Sequence, residues 1–141
     1  MGCECWRGPP TSRGREAAVY DDPEGSLSLL PFLGFCDADD PVWSNTVDLL
    51  RSPRNPFWLA DRAHPGLASR TRPGRASLAA LCADLLGPRR GEAIRILRDL
   101  ALDAGIAGGS YDPDTGKVDG ERHHAALAGF LAWALWRAVE G

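Results

Sequence analysis

The sequence predicts an all-α chain, and three observations carry that prediction. Apolar residues recur at helical spacing in about four segments bounded by cap and stop residues, no segment alternates apolar and polar residues convincingly, and the connections run alternately short and long. With 141 residues, 44% of them hydrophobic and 25% charged, the composition fits one globular domain.

Residues 1–19 mix Cys, Gly, Pro, Ser and Arg without an apolar period and are given no fold, as a disordered or misassigned leader; residues 20–141 are expected to fold. The run from Ser26 to Phe35 is compact and apolar, closed by Pro31 and Gly34, and suits a short helix or an inward-packed loop. Asp39-Asp40-Pro41 then starts a helix, with an acidic N-cap followed by proline at the first helical position. Val42, Trp43, Thr46, Val47 and Leu50 form its apolar stripe, which ends near Arg51. A Pro-rich stretch from Ser52 to Gly74 predicts a long irregular loop.

Helical spacing resumes near Arg75, continues through Leu78, Leu81, Cys82 and Leu85, and stops at Gly87-Pro88. A partner helix begins near Arg90, carries Ile94, Leu97 and Leu100 on one side, and stops at Gly105, so the two should form a hairpin. A loop rich in Gly and Asp leads to a final helix from about Glu121 to Val139. Its second half is apolar nearly all round, which predicts burial on more than one side.

Charge and cysteine content narrow the function. Sixteen basic against 19 acidic side chains leave a net charge of −3, with no positive surplus for phosphates, so nucleic acid is not an expected partner. Apolar stretches break well short of the roughly 18 residues a membrane span requires, and no apolar signal core opens the chain, so no membrane partner and a cytoplasmic location are expected. Cys3, Cys5, Cys36 and Cys82 then read as reduced thiols.

The loops carry a family resemblance. Asp21-Asp22, the Ser28-to-Gly34 segment SLLPFLG, Asp40-Pro41, Asn45-Thr46, and Ser52 with Asn55-Pro56-Phe57 follow one another in order and spacing similar to the C-terminal third of glycoside hydrolase family 125. Gly66-Leu67-Ala68-Ser69 with Thr71 resembles a further loop of that family, with Arg70 or Arg72 near the place of its histidine. Asp103-Ala104-Gly105 with Ser110-Tyr111-Asp112-Pro113 resembles the segment holding the family's catalytic base, but Gly108 and Gly109 stand where His and Glu are expected. Phe130-Leu131-Ala132-Trp133-Ala134 is similar to the family's terminal helix.

The resemblance implies a metal-independent exo-α-mannosidase scaffold, helical hairpins forming part of an (α/α)6 barrel, with no cofactor and no metal. Twelve helices with their connections need on the order of 200 residues. A chain of this length is therefore expected to be a fragment or a divergent relative, completed by a missing N-terminal barrel portion or by oligomerisation. Inverting hydrolysis needs two carboxyl groups on opposite sides of the bond. The acid has no counterpart here and the base position is glycine, so no catalytic residue is assigned and inactivity is expected.

An α-mannoside is the expected ligand, held by Asp21, Asp22, Trp58, Ser69 and Arg70. A non-catalytic carbohydrate- or partner-binding module is the alternative. Plainer readings stand beside several of these residues. Asp21 and Asp22 could open the turn before Pro23, and Trp43 in its helical stripe reads as core. His123 and His124, adjacent on a helix, point about 100° apart and read as a solvated helix start, not a metal pair. Cys3 and Cys5 lack a second ligand pair. The segment from Asp112 to Glu121 has the wrong register for a calcium loop, and the arginines from Arg70 to Arg75 read as a solvated loop. Asp112, Asp114 or Asp119 could replace the missing base only if held close to the reacting water.

Overall fold

The computed structural model describes residues 26–100, 108–120 and 124–140. It overturns the all-α expectation and with it the arc of an (α/α)6 barrel. Among the described residues, four α-helices are accompanied by five strands of two residues each, in two small antiparallel sheets, which makes a mixed α/β domain. The strands escape a periodicity reading because two residues are too few to display an alternation. They form where the two long loops fold back and satisfy each other's backbone groups.

A 3₁₀ turn at Leu27–Leu29 comes first. Helix α1, Pro41–Leu50, starts as its sequence dictates: Asp40 Oδ1 accepts from the backbone N–H of Val42 at 2.7 Å and of Trp43 at 3.2 Å, and Pro41 occupies a position where no N–H is missed. Its stripe of Trp43, Thr46, Val47 and Leu50 is buried, and Trp43 Nε1–H donates to the carbonyl of Leu27, pinning the 3₁₀ turn. Trp43 is therefore core. Asn55 closes the far end by donating to the Leu50 carbonyl at 2.7 Å and accepting from Phe57 N–H at 3.0 Å, which turns the chain into β1.

Strands β1 (Trp58–Leu59) and β2 (Gly66–Leu67) pair antiparallel, so the stretch expected to be irregular contains a hairpin. The second sheet has the order β3-β4-β5, from Ala76–Ser77, Ser110–Tyr111 and Val118–Asp119. Because β3 takes Ala76 and Ser77, helix α2 begins at Leu78, not near Arg75, and Ser77 Oγ caps it by accepting from Ala80 N–H. Helix α2 (Leu78–Leu86) is the centre of the domain, with eight of nine residues buried. It packs on α3 (Arg90–Asp99) and on α4 (Ala125–Glu140).

The core is assembled around α2 from Leu81, Cys82 and Leu85, with Ile96 of α3, Tyr111 of β4, and Leu127 and Leu131 of α4. Burial holds the Cys82 thiol up at about 12, which keeps it protonated. One charged pair lies inside: Arg51 Nη2 bridges to Asp84 Oδ1, with the Arg51 side chain wholly shielded from solvent. Burial pushes the Asp84 carboxyl upward, against the pull of that guanidinium.

The expectation for the final helix is corrected too. Only Leu127, Leu131 and Ala134 of α4 are buried, and its opposite side faces outward. The all-round burial expected of α4 belongs instead to α2, whose only polar residue is Asp84. Among the described residues, no helix is long and apolar enough to cross a membrane.

Candidate functional site

The three-stranded sheet builds a site because its two rungs face opposite ways. In register, Ala76, Tyr111 and Val118 form one rung, and Ser77, Ser110 and Asp119 the other. Successive side chains on a strand point to opposite faces. The Ala-Tyr-Val rung belongs to the core, with Ala76 and Tyr111 fully buried, and on the other rung Ser77 and Ser110 line a cleft of about 270 Å³. Ser69, Arg72 and Arg75 from the loop before β3 form one wall. Gly109 and Ser110, Gly120, and His124 at the start of α4 complete it.

A continuous polar chain crosses this face. Arg72 Nη1 donates to Ser110 Oγ at 3.2 Å, and Ser110 Oγ donates to Asp119 Oδ1 at 2.6 Å. Arg75 then ties two carboxylates together, with Nη2 at 3.0 Å from Asp119 Oδ2 and Nη1 at 2.6 Å from Asp112 Oδ2. Asp112 is held hardest. Its Oδ1 accepts from the backbone N–H of Thr115 at 3.0 Å and of Asp114 at 2.9 Å, and these bonds, with Arg75, keep its carboxyl below the usual range. The same bonds build the β4–β5 turn, in which Gly116 supplies the positive φ of +69°.

Two glycines at the cleft differ in what they permit. A Cβ on Gly108 would lie 2.4 Å from the carbonyl oxygen of Asp119 and 2.7 Å from Val118 Cγ1, so no side chain fits while β5 stays in place. A Cβ on Gly109 would meet nothing within 4 Å. The position read against the family's glutamate is thus open and empty, and the one before it is closed.

The sequence-derived site residues separate in space. Ser69 lines the cleft, where its hydroxyl accepts from Arg72 N–H at 3.0 Å and contacts Thr71 Oγ1 at 2.9 Å. Arg70 is exposed in the same turn, outside the lining. Trp58 is half-buried on β1, with the Arg89 guanidinium 5.1 Å from its ring centroid, so one ring face is covered and the residue is not part of the cleft. Asp21 and Asp22 lie outside the described residues.

The proposed replacement bases are also placed. Asp114 sits at the hairpin tip, paired with Arg62 at 2.9 Å, whereas Asp112 and Asp119 are engaged by Arg75. His124 caps α4 through Nδ1, which accepts from Leu127 N–H at 3.2 Å. No cluster able to hold a metal ion occurs among the described residues. Ser77, Ser110 and the role of Arg75 were not foreseeable from spacing, since the sheet that aligns them leaves no periodic trace. Comparison with protein-family models, with curated proteins and with solved structures returns no match.

Proposed function

We propose that this chain is a non-catalytic carbohydrate-binding domain, a divergent relative of the family 125 exo-α-mannosidases in its loop segments, and that it binds one terminal α-mannoside ring in the cleft beside β4. The observation that carries the reading is the electrical balance of that cleft. Arg72 and Arg75 in the lining are balanced by Asp112 and Asp119 just outside it, Arg75 bridging both and Arg72 3.9 Å from Asp119, while the hydroxyl oxygens of Ser69, Ser77 and Ser110 are held in place by bonds within the chain and the outer N–H groups of Arg72 stand at the edge. Fixed donors and acceptors without net charge suit a neutral polyol better than an anion or a cation. The volume, about 270 Å³, is at the small end for ligand sites and suits a single ring.

The loops behind the resemblance support the same location. The Gly66-to-Thr71 loop supplies Ser69, and the Ser110-to-Pro113 segment supplies Ser110. Hydrolysis is not part of the reading. A general base must hold a proton-accepting carboxylate near one water. Asp112 and Asp119 are committed to Arg75, and Gly109 offers no carboxylate.

Titration of the full chain with methyl α-mannoside, followed by backbone amide NMR, tests this. Shifts should gather at Ser69, Arg72, Ser77 and Ser110 and vanish in Arg72→Ala, while an aryl α-mannoside releases no phenol. Absence of shifts at about 50 mM sugar, well above the millimolar Kd of weak specific binding, would refute the reading.

A further inference from the structure

Helix α4 turns a side to solvent that a helix of an isolated domain does not normally expose. Its 16 residues carry only two charged side chains, Arg137 and Glu140. Trp133, Trp136 and Val139 on the outer side are 40%, 54% and 85% exposed. A helix that is apolar on every side is normally covered on every side. The turn beside it adds Leu33 and Phe35, both more than two-thirds exposed, and a cleft of about 450 Å³ separates this turn from the two tryptophans. Trp133 is already rigid, stacked on Phe130 at 6.0 Å and set edge-on to Phe32 at 6.5 Å.

We infer that the outer face of α4 pairs with the same face of a second copy of this chain, the two helices running antiparallel about a two-fold axis at Ala132. The helix is graded in a way that fits itself reversed. The exposed residues of its first half are all small, Ala125, Ala126, Ala128, Gly129 and Ala132, and its second half exposes the bulky ones. Turned end for end about Ala132, Trp136 meets the hollow at Ala128 and Gly129, and Val139 meets Ala125. Such self-complementarity is the requirement of a two-fold interface.

The area agrees. The six exposed large side chains present roughly 600 Å² of apolar surface per copy, and the small residues between them bring this near the about 800 Å² per partner of a stable interface. Tryptophans buried in a patch are among the residues that dominate binding energy.

The test uses the full chain with Cys3, Cys5 and Cys36 replaced by serine. Sedimentation should report a dimer at micromolar concentration, and Trp136→Asp should raise the dissociation constant at least tenfold with the circular dichroism spectrum unchanged. Under mild oxidation Ala132→Cys should cross-link to itself, and Val139→Cys should cross-link to Ala125→Cys but not to itself. A monomer at about 100 µM would overturn the inference, whether the face is then covered by residues of the same chain or by a different protein. Self-linking of Val139→Cys, the mark of a parallel pair, would overturn it as well.

Discussion

The cleft side of the domain and the outer face of α4 are built from similarly ordinary residues but solve opposite problems. Around the cleft, polar groups are matched within the chain: Arg75 bridges Asp112 and Asp119, and Ser110 joins Arg72 to Asp119. On α4, large apolar groups are left unmatched. The difference teaches that closure in this domain is local. One side is finished by its own loops, and the other presents large apolar side chains to solvent among the described residues.

If that contrast is sound, the closed side should be brittle and the open side forgiving. The largest effect is expected from Asp84→Ala, which strands the shielded Arg51 guanidinium, whose Nε and Nη1 have no other partner among the described residues. A loss of about 3–5 kcal/mol in urea unfolding is expected. A loss below 1 kcal/mol would mean that Arg51 reaches water and that this interior is not closed.

Gly108→Ala comes next, at about 1–3 kcal/mol, because its Cβ must push backbone rather than a side-chain tip. Its neighbour is the control: Gly109→Ala should change stability by no more than about 0.5 kcal/mol. Equal losses at the two positions would show that β5 does not sit where the contrast requires it.

On the open side, Trp136→Ser should shift the urea midpoint by the equivalent of about 0.5 kcal/mol or less when measured at submicromolar chain concentration, where pairing contributes least. A large loss there would place Trp136 in the chain's own core.

The smallest effect is in pH. The Asp112 carboxyl has a folded-state pKa below its unfolded value, so the stability it adds is present above about pH 4 and disappears as pH falls through the lowered value. The melting difference between the parent chain and Asp112→Asn should therefore shrink on acidification from pH 5 to pH 2. A constant difference would mean that the hairpin does not depend on the ionised group.

How much of this was legible depended on how long each pattern runs. Helix α1 could be read from Asp40, Pro41 and a stripe of five residues, because a cap and a period reinforce each other. The strands could not. Ser77, Ser110 and Asp119 stand on one rung although they are 33 and nine residues apart in sequence, and each contributes half of a two-residue strand. Propensity has nothing to sum over at that length. Ser69, to which a loop motif points, falls in the lining of the candidate cleft, whereas Trp58 lies outside it with one ring face under Arg89, a cover brought by the start of α3 that sequence spacing does not announce. The apolar character of α4 was plain, but which side would be left bare was decided by α2 taking the centre.

The two ladders of the three-stranded sheet also differ in when they can form. The β4–β5 ladder closes a short hairpin, an event of about 1–10 µs, whereas the β3–β4 ladder must wait until the intervening helices have brought Ser77 to Ser110. Arg72 and Arg75 reach their acidic partners only across that later seam. The cleft is thus expected to be among the later features of the fold to form, since it needs both ladders in place.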